Sequence, residues 1–90
     1  MAIEVRIPTI LRTYTDGAKS VTGSGDTLAA LIDDLEANHP GIKDRLIDGN
    51  DLRRFVNVYV NDEDVRFTGS LETTLSDGDQ VTVLPAVAGG

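Results

Sequence analysis

A chain of 90 residues holds one hydrophobic core and leaves no room for a second. Its 40% apolar and 26% charged residues are those of a soluble globular domain, and with no cysteine it has no disulfide, thiolate nucleophile or thiolate metal site. A formal charge of −7, from 15 acidic against 8 basic residues, argues against a phosphate backbone as partner. It leaves two readings, solubility or a match to a basic partner surface. No apolar run approaches a membrane span, and Met1-Ala2-Ile3-Glu4 carries no signal-peptide pattern. The expectation is a cytoplasmic monomer with no nucleic-acid and no membrane partner.

In chain order, Ile3-Glu4-Val5-Arg6-Ile7-Pro8 alternates as a half-buried strand, with Ile3, Val5 and Ile7 inward. Pro8 cannot donate to a ladder, which predicts an edge or bulge there, with Thr9-Ile10-Leu11 continuing the strand. Thr15-Asp16-Gly17 signals a turn, and Ala18 to Thr22 returns antiparallel. Asp26 or Thr27 caps a helix whose Leu28, Leu31, Ile32 and Leu35 share one face, with Asp33, Asp34 and Glu36 on the other. The helix ends at Asn38-His39-Pro40-Gly41 because proline cannot continue it. Ile42 and Leu46 predict a short helical turn before the polar loop Asp48-Gly49-Asn50-Asp51.

Phe55 to Val60 is the strongest strand signal, being β-branched and aromatic, with Val56, Val58 and Val60 on one face and Phe55, Asn57 and Tyr59 on the other. Asn61-Asp62 predicts a tight turn into a short strand Val65-Arg66-Phe67. Thr68-Gly69-Ser70 reads as loop, Asp77-Gly78 as a hairpin turn, and Gln80 to Leu84 as the last strand. Pro85 then releases the tail. The expected fold is α+β, a β-grasp (ubiquitin-like) mixed sheet packed on one main helix, with the first and last strands parallel. The β-grasp domain is expected over residues 1–85, followed by a flexible tail at 86–90.

The tail Ala86-Val87-Ala88-Gly89-Gly90 carries the functional signal. Two glycines without Cβ make a thin strand that can enter a narrow channel and present an unhindered carboxylate. Gly90 is the candidate reactive position, and Gly89 and Ala88 give clearance. Phe55, Tyr59 and Leu84 share the parity opposite the valines, so with Pro85 and Val87 they are candidates for a partner-binding surface beside the tail. The remaining candidates read as structural. His39 has no second histidine or cysteine for a metal site and reads as a solvated loop residue. The acidic groups Asp33-Asp34, Asp62-Glu63-Asp64 and Asp77-Gly78-Asp79 lack calcium-loop spacing and read as solvated faces and turns. Ser70 and Ser76 have no base beside them. The residues offer no self-contained active site, metal site or cofactor site.

With these pieces in place, the chain resembles the ubiquitin-like sulfur-carrier proteins of the ThiS, MoaD and CysO type. The likeness runs over essentially the whole chain. The block Arg54 to Phe67, the Gly78-Asp79 turn and the ending Leu84-Pro85-Ala86-Val87-Ala88-Gly89-Gly90 look most like the cysteine-forming, CysO-type carriers. The resemblance implies a protein co-substrate rather than an enzyme. A ubiquitin-activating-like adenylyltransferase/sulfurtransferase would use ATP and magnesium to adenylate the Gly90 carboxylate, and a sulfur donor would convert it to a thiocarboxylate. In the cysteine-forming branch a PLP-dependent cysteine synthase accepts the sulfur, and a zinc metallopeptidase releases cysteine. The alternatives it leaves open are sulfur donation to molybdopterin, thiazole or thiosugar synthesis, and a ubiquitin-like modifier or binding module.

Overall fold

The computed structural model describes residues 2–53 and 56–85. A five-stranded sheet has the order β2-β1-β7-β5-β6, built from β1 (Ile3–Arg6), β2 (Ser20–Gly23), β5 (Val56–Val60), β6 (Glu63–Asp64) and β7 (Gln80–Pro85). β1 and β7 pair in parallel, and every other ladder of the sheet is antiparallel. This is the expected β-grasp arrangement, with α1 (Leu28–Asn38) lying on one sheet face.

Register fixes which side chains reach that helix. Val5 sits opposite Val81 and Val21, Val58 opposite Val83, and Val60 opposite Val81. Val5, Val58, Val81 and Val83 form one buried core with the helix residues Leu28, Leu31, Ile32 and Leu35, and the partly buried Val21 and Val60 pack against it. Ile3 and Ile7 join it by parity. Thr27 caps α1, its hydroxyl accepting from the Ala30 amide at 3.2 Å. The loop before β7 is tied to the same helix end. The Leu28 amide donates to the Thr73 carbonyl, and the Leu75 amide to that of Asp26. A second short helix, α2 (Ile42–Leu46), buries Ile42 and Leu46 as the sequence indicates.

Several local expectations are corrected. Thr9-Ile10-Leu11 does not extend the first strand; Thr9–Thr15 forms a 3-10 helix that begins after Pro8. β1 is an interior strand, and Pro8 lies beyond its end rather than on an edge. With no N–H for the ladder, Pro8 ends the strand, and its carbonyl accepts from Leu11 at 2.9 Å to start the new turn. The supposed polar loop at 48–51 is a small hairpin of β3 (Ile47–Asp48) and β4 (Asp51–Leu52). Asn61 and Asp62 do make the tight turn, both with positive φ. The strand it leads into is Glu63–Asp64, and Val65–Phe67 is a 3-10 turn instead. Asp64 causes the change: its carboxylate accepts from the Arg66 amide at 2.9 Å and diverts the backbone. Asp77-Gly78 makes a turn closed by the Asp79 amide on the Ser76 carbonyl, but not a hairpin, because the strand that follows runs parallel to β1. It holds the start of β1 instead: the Asp77 carboxylate accepts from the Ala2 amide at 2.7 Å, and the Gly78 amide donates to the Ala2 carbonyl.

Candidate functional site

β7 lies between β1 and β5 and carries the chain to Pro85, the last described residue. The tail residues Gly90, Gly89, Ala88 and Val87 lie outside the described residues, as does Phe55. The candidates that can be placed converge on the end of β7. Leu84 pairs with Asn57, and Tyr59 with Thr82, so all four lie on the face turned away from α1. Tyr59, Thr82 and Leu84 line one shallow depression with Asp62. Leu84 is 45% exposed, high for a leucine in an interior strand. Pro85 has the opposite parity, across from Val56, so it does not share the face of Tyr59 and Leu84. It stands instead at the rim between the two faces, lining the two grooves described next.

Two grooves meet at this rim, of about 540 and 450 Å³. Both are lined by Pro8, Ile10, Val83, Leu84 and Pro85. Ile10, carried outward by the 3-10 turn, is 67% exposed. The larger groove adds Tyr14, Arg45 and Arg53, and the smaller adds Arg6, Arg12 and Lys19. The Arg45 guanidinium lies 5.7 Å from the Tyr14 ring centroid and donates from Nε to the Tyr14 hydroxyl at 2.6 Å. Arg53 Nε donates to the Asp44 carbonyl, and Arg12 Nε to that of Ile7. None of these cations was singled out from the sequence. They are scattered between positions 6 and 53, and only the fold gathers them.

The acidic groups are less idle than solvated turns. Asp34 accepts from the Ser24 amide at 2.9 Å. Asp79 accepts from the Ser76 amide and from the Asn61 side chain, and these two bonds, in that order of weight, hold its carboxyl below the ordinary aspartate value. Glu36 accepts from the amides of Gly41 and Lys43, which lower its pKa in the same way and clamp the α1–α2 corner. Gly41 takes φ +100° at that corner, where a Cβ would also meet the Tyr14 ring. Lys43 is raised above its ordinary value by Asp33, 2.6 Å away. Backbone amides supply most of these contacts, so a scan for paired carboxylates could not find them. His39 is half-buried at the C-terminus of α1, where its amide donates to the Leu35 carbonyl. Ser70 opens a 3-10 turn, and the Ser76 carbonyl closes the turn before β7. Among the described residues no group of three or more His, Asp or Glu side chains could hold a metal ion, and no helix is long and apolar enough to cross a membrane.

The arrangement displays a partly apolar surface at the end of β7, backed by the sheet. Comparison with known proteins identifies the family. The model of the ThiS family matches residues 5–90. The chain is 63% identical to the sulfur carrier protein CysO of Mycobacterium tuberculosis over 93 aligned positions, covering all of both chains. It is 36% identical, again over all of both, to small archaeal modifier protein 3 of Haloferax volcanii. The fold superposes on the crystal structure of the Amycolatopsis orientalis BexX/CysO complex with a TM-score of 0.94 and 61% identity, over 99% of this chain and 100% of that one. Such carriers are substrates of other enzymes and not enzymes themselves. The chain belongs to the ThiS family of ubiquitin-like sulfur carriers.

Proposed function

We propose that the carboxylate of Gly90 is the sulfur-carrying group, and that its sulfur goes to cysteine. The observation that carries this reading is the 63% identity, over both full lengths, to a protein named sulfur carrier protein CysO. The chemistry follows from the group itself. A carboxylate is a poor electrophile. Attack of its oxygen on the α-phosphorus of ATP releases pyrophosphate and gives an acyl adenylate with AMP as leaving group. A sulfide-level donor then displaces AMP, and the C–O bond to phosphate is replaced by C–S. The resulting thiocarboxylate would supply sulfur without free sulfide to a PLP-dependent synthase: its sulfur would add to the β-carbon of a dehydrated serine unit to give a thioester, and an S-to-N acyl shift would leave cysteine joined to Gly90 by an amide. A zinc metallopeptidase then releases cysteine from the carrier. ATP, magnesium, PLP and zinc belong to these partners, in the cytoplasm.

The carrier's own part is recognition and reach. Tyr59, Leu84 and Pro85, with Phe55 and Val87, form the surface that the adenylating enzyme grips, while Gly89 and Ala88 pass through its channel. Residues 1–85 act as the handle and 86–90 as the arm. The complex between BexX and CysO of Amycolatopsis orientalis supports a carrier that works by docking on a partner. A second reading, conjugation to lysine through an isopeptide, is favoured by the 36% identity to a protein named as a modifier. Both share the adenylation step.

Deleting Gly90 tests the step. In an extended tail it withdraws the carboxylate by ~3.3–3.6 Å, and misplacement of that size destroys reactive alignment. ATP–pyrophosphate exchange with the cognate adenylating enzyme should be lost while thermal unfolding is unchanged. Normal exchange by the shortened chain would overturn the mechanism. Intact mass of carrier from its own host separates the two readings: one oxygen replaced by sulfur supports the carrier, a lysine-linked conjugate the modifier.

A further inference from the structure

The charge of this chain is unevenly placed. Arg6, Arg12, Lys19, Arg45 and Arg53 line the two grooves at the end of β7, and no aspartate or glutamate lines either. Five of the chain's 8 basic residues therefore line the grooves at the end of β7, and none of its 15 acidic residues does, although Asp62 shares a neighbouring depression with Leu84. Among the described residues the two ion pairs use Lys43 and Arg66, and none of the five. Three of the guanidiniums are held by the Nε bonds already described, and among the described residues their terminal nitrogens make no hydrogen bond. Exposed Ile10 and Leu84 lie among them.

We infer that this basic collar docks the carrier on an acidic rim around the channel that receives its tail, on the adenylating enzyme. The inference rests on the proposed function for the identity of that enzyme. Its chemistry is read from the surface: fixed guanidiniums with free forked donors match carboxylates, and the apolar pair at the centre matches an apolar seat inside a charged rim. The acidic total charge points the opposite way, toward a basic partner, but docking is governed by the charge at the contact and not by the sum over the molecule. A collar around the tail also sets orientation, since only a tail-first approach brings the opposite charges together.

Association with the cognate adenylating enzyme, followed by stopped-flow at low and high salt, tests this. The double variant Arg45→Gln/Arg53→Gln should associate about 3- to 10-fold more slowly at low salt, with a shallower salt dependence. Lys43→Gln, away from the collar, should change the rate by less than about twofold. Arg45→Lys/Arg53→Lys keeps the charge but loses the Nε bonds, and should restore most of the rate, which a merely structural role would not allow. Equal slowing by Lys43→Gln and the arginine variants, or a wild-type rate indifferent to salt, would overturn the inference. So would faster activation by the glutamine variants, which would mean that the collar holds the chain's own terminal carboxylate. Binding of a single-stranded oligonucleotide that needs the collar, with enzyme association unchanged, would overturn it in favour of nucleic acid. The Gly90 deletion separates this from the proposed function: lost exchange with collar-independent docking sinks the collar alone, whereas retained exchange sinks the carboxyl-terminal chemistry.

Discussion

Leu31 is fully buried at the centre of the helix–sheet interface, and it faces a glycine. A Cβ built on Gly23 would lie 2.6 Å from Leu31 Cδ1 and 3.3 Å from Leu35 Cδ2. Gly23 therefore makes room for the leucine, and the two positions are coupled. Leu31→Ala should destabilise by ~2–5 kcal/mol, toward the upper end because Gly23 has no side chain with which to fill the space. In a domain of this size that lowers the melting temperature by at least about 8 °C. Gly23→Ala alone should cost ~1–3 kcal/mol through overpacking. In the double variant the new methyl enters the space that the leucine vacated. Its cost should be less than the sum of the single costs, with an interaction of ~0.5–3 kcal/mol. Urea titrations of the four proteins measure the cycle, with equal m-values as the check that the unfolding reaction is unchanged. Additivity within ~0.3–0.5 kcal/mol would refute the packing argument, because contacting residues with a shared cavity cannot be independent.

Thr27→Ala should cost ~1 kcal/mol by leaving the Ala30 amide without its acceptor, and Thr27→Ser should recover most of it; equal chemical denaturation midpoints for all three would contradict the cap. Stability should also depend on pH at both ends. Glu36 and Asp79 are held below their ordinary values of 4.5 and 3.8, so the stability they confer is present above that range and lost as pH falls through their folded values. Lys43 is raised above 10.5, so its share is present below that value and lost as pH rises through the folded one. Glu36→Gln should flatten the acid limb of a melting-temperature profile, and an unchanged limb would remove Glu36 from the account.

The helix and the main strands were legible because their periods differ and each repeats. Leu28, Leu31, Ile32 and Leu35 fit only a helical face, and the valines of β5 and β7 only a strand. The same parity put Tyr59 and Leu84 on the open face before the register was known. What the sequence did not reveal has a different physical origin. The 3-10 turns at Thr9–Thr15 and Val65–Phe67 are too short to show a period and are set by one residue each, Pro8 ending a ladder and Asp64 capping a turn. Glu36, Asp77 and Asp79 act on amides that the fold brings to them, so their role is absent from local spacing. Pro85 follows Leu84 in sequence but faces the other way, because adjacent strand residues point to opposite faces. The cationic rim is the extreme case. Arg6 and Arg53 are far apart in sequence, and a composition of −7 conceals them.

A carrier that serves enzymes in succession has a kinetic requirement that a permanent partner lacks. It must find each enzyme quickly and then leave with its cargo. Apolar burial lowers the rate of departure, whereas charges at a rim raise the rate of encounter and add little to residence. The surface at the end of β7 has this division: a small apolar centre in Leu84 and Ile10, with fixed cations around it. If the basic collar docks on an acidic rim as proposed, the acidic remainder of the molecule would add to the effect, because segregated charge would help to turn the end of β7 toward that rim. Screening limits that torque to about a Debye length, ~8 Å at physiological ionic strength. On that proposal the orientation would be imposed in the last steps of approach, where a misdirected tail would otherwise waste the encounter. The apolar burial is concentrated in the valine and leucine layer on the α1 face of the sheet, whereas Leu84 and Ile10 are left exposed at the end of β7.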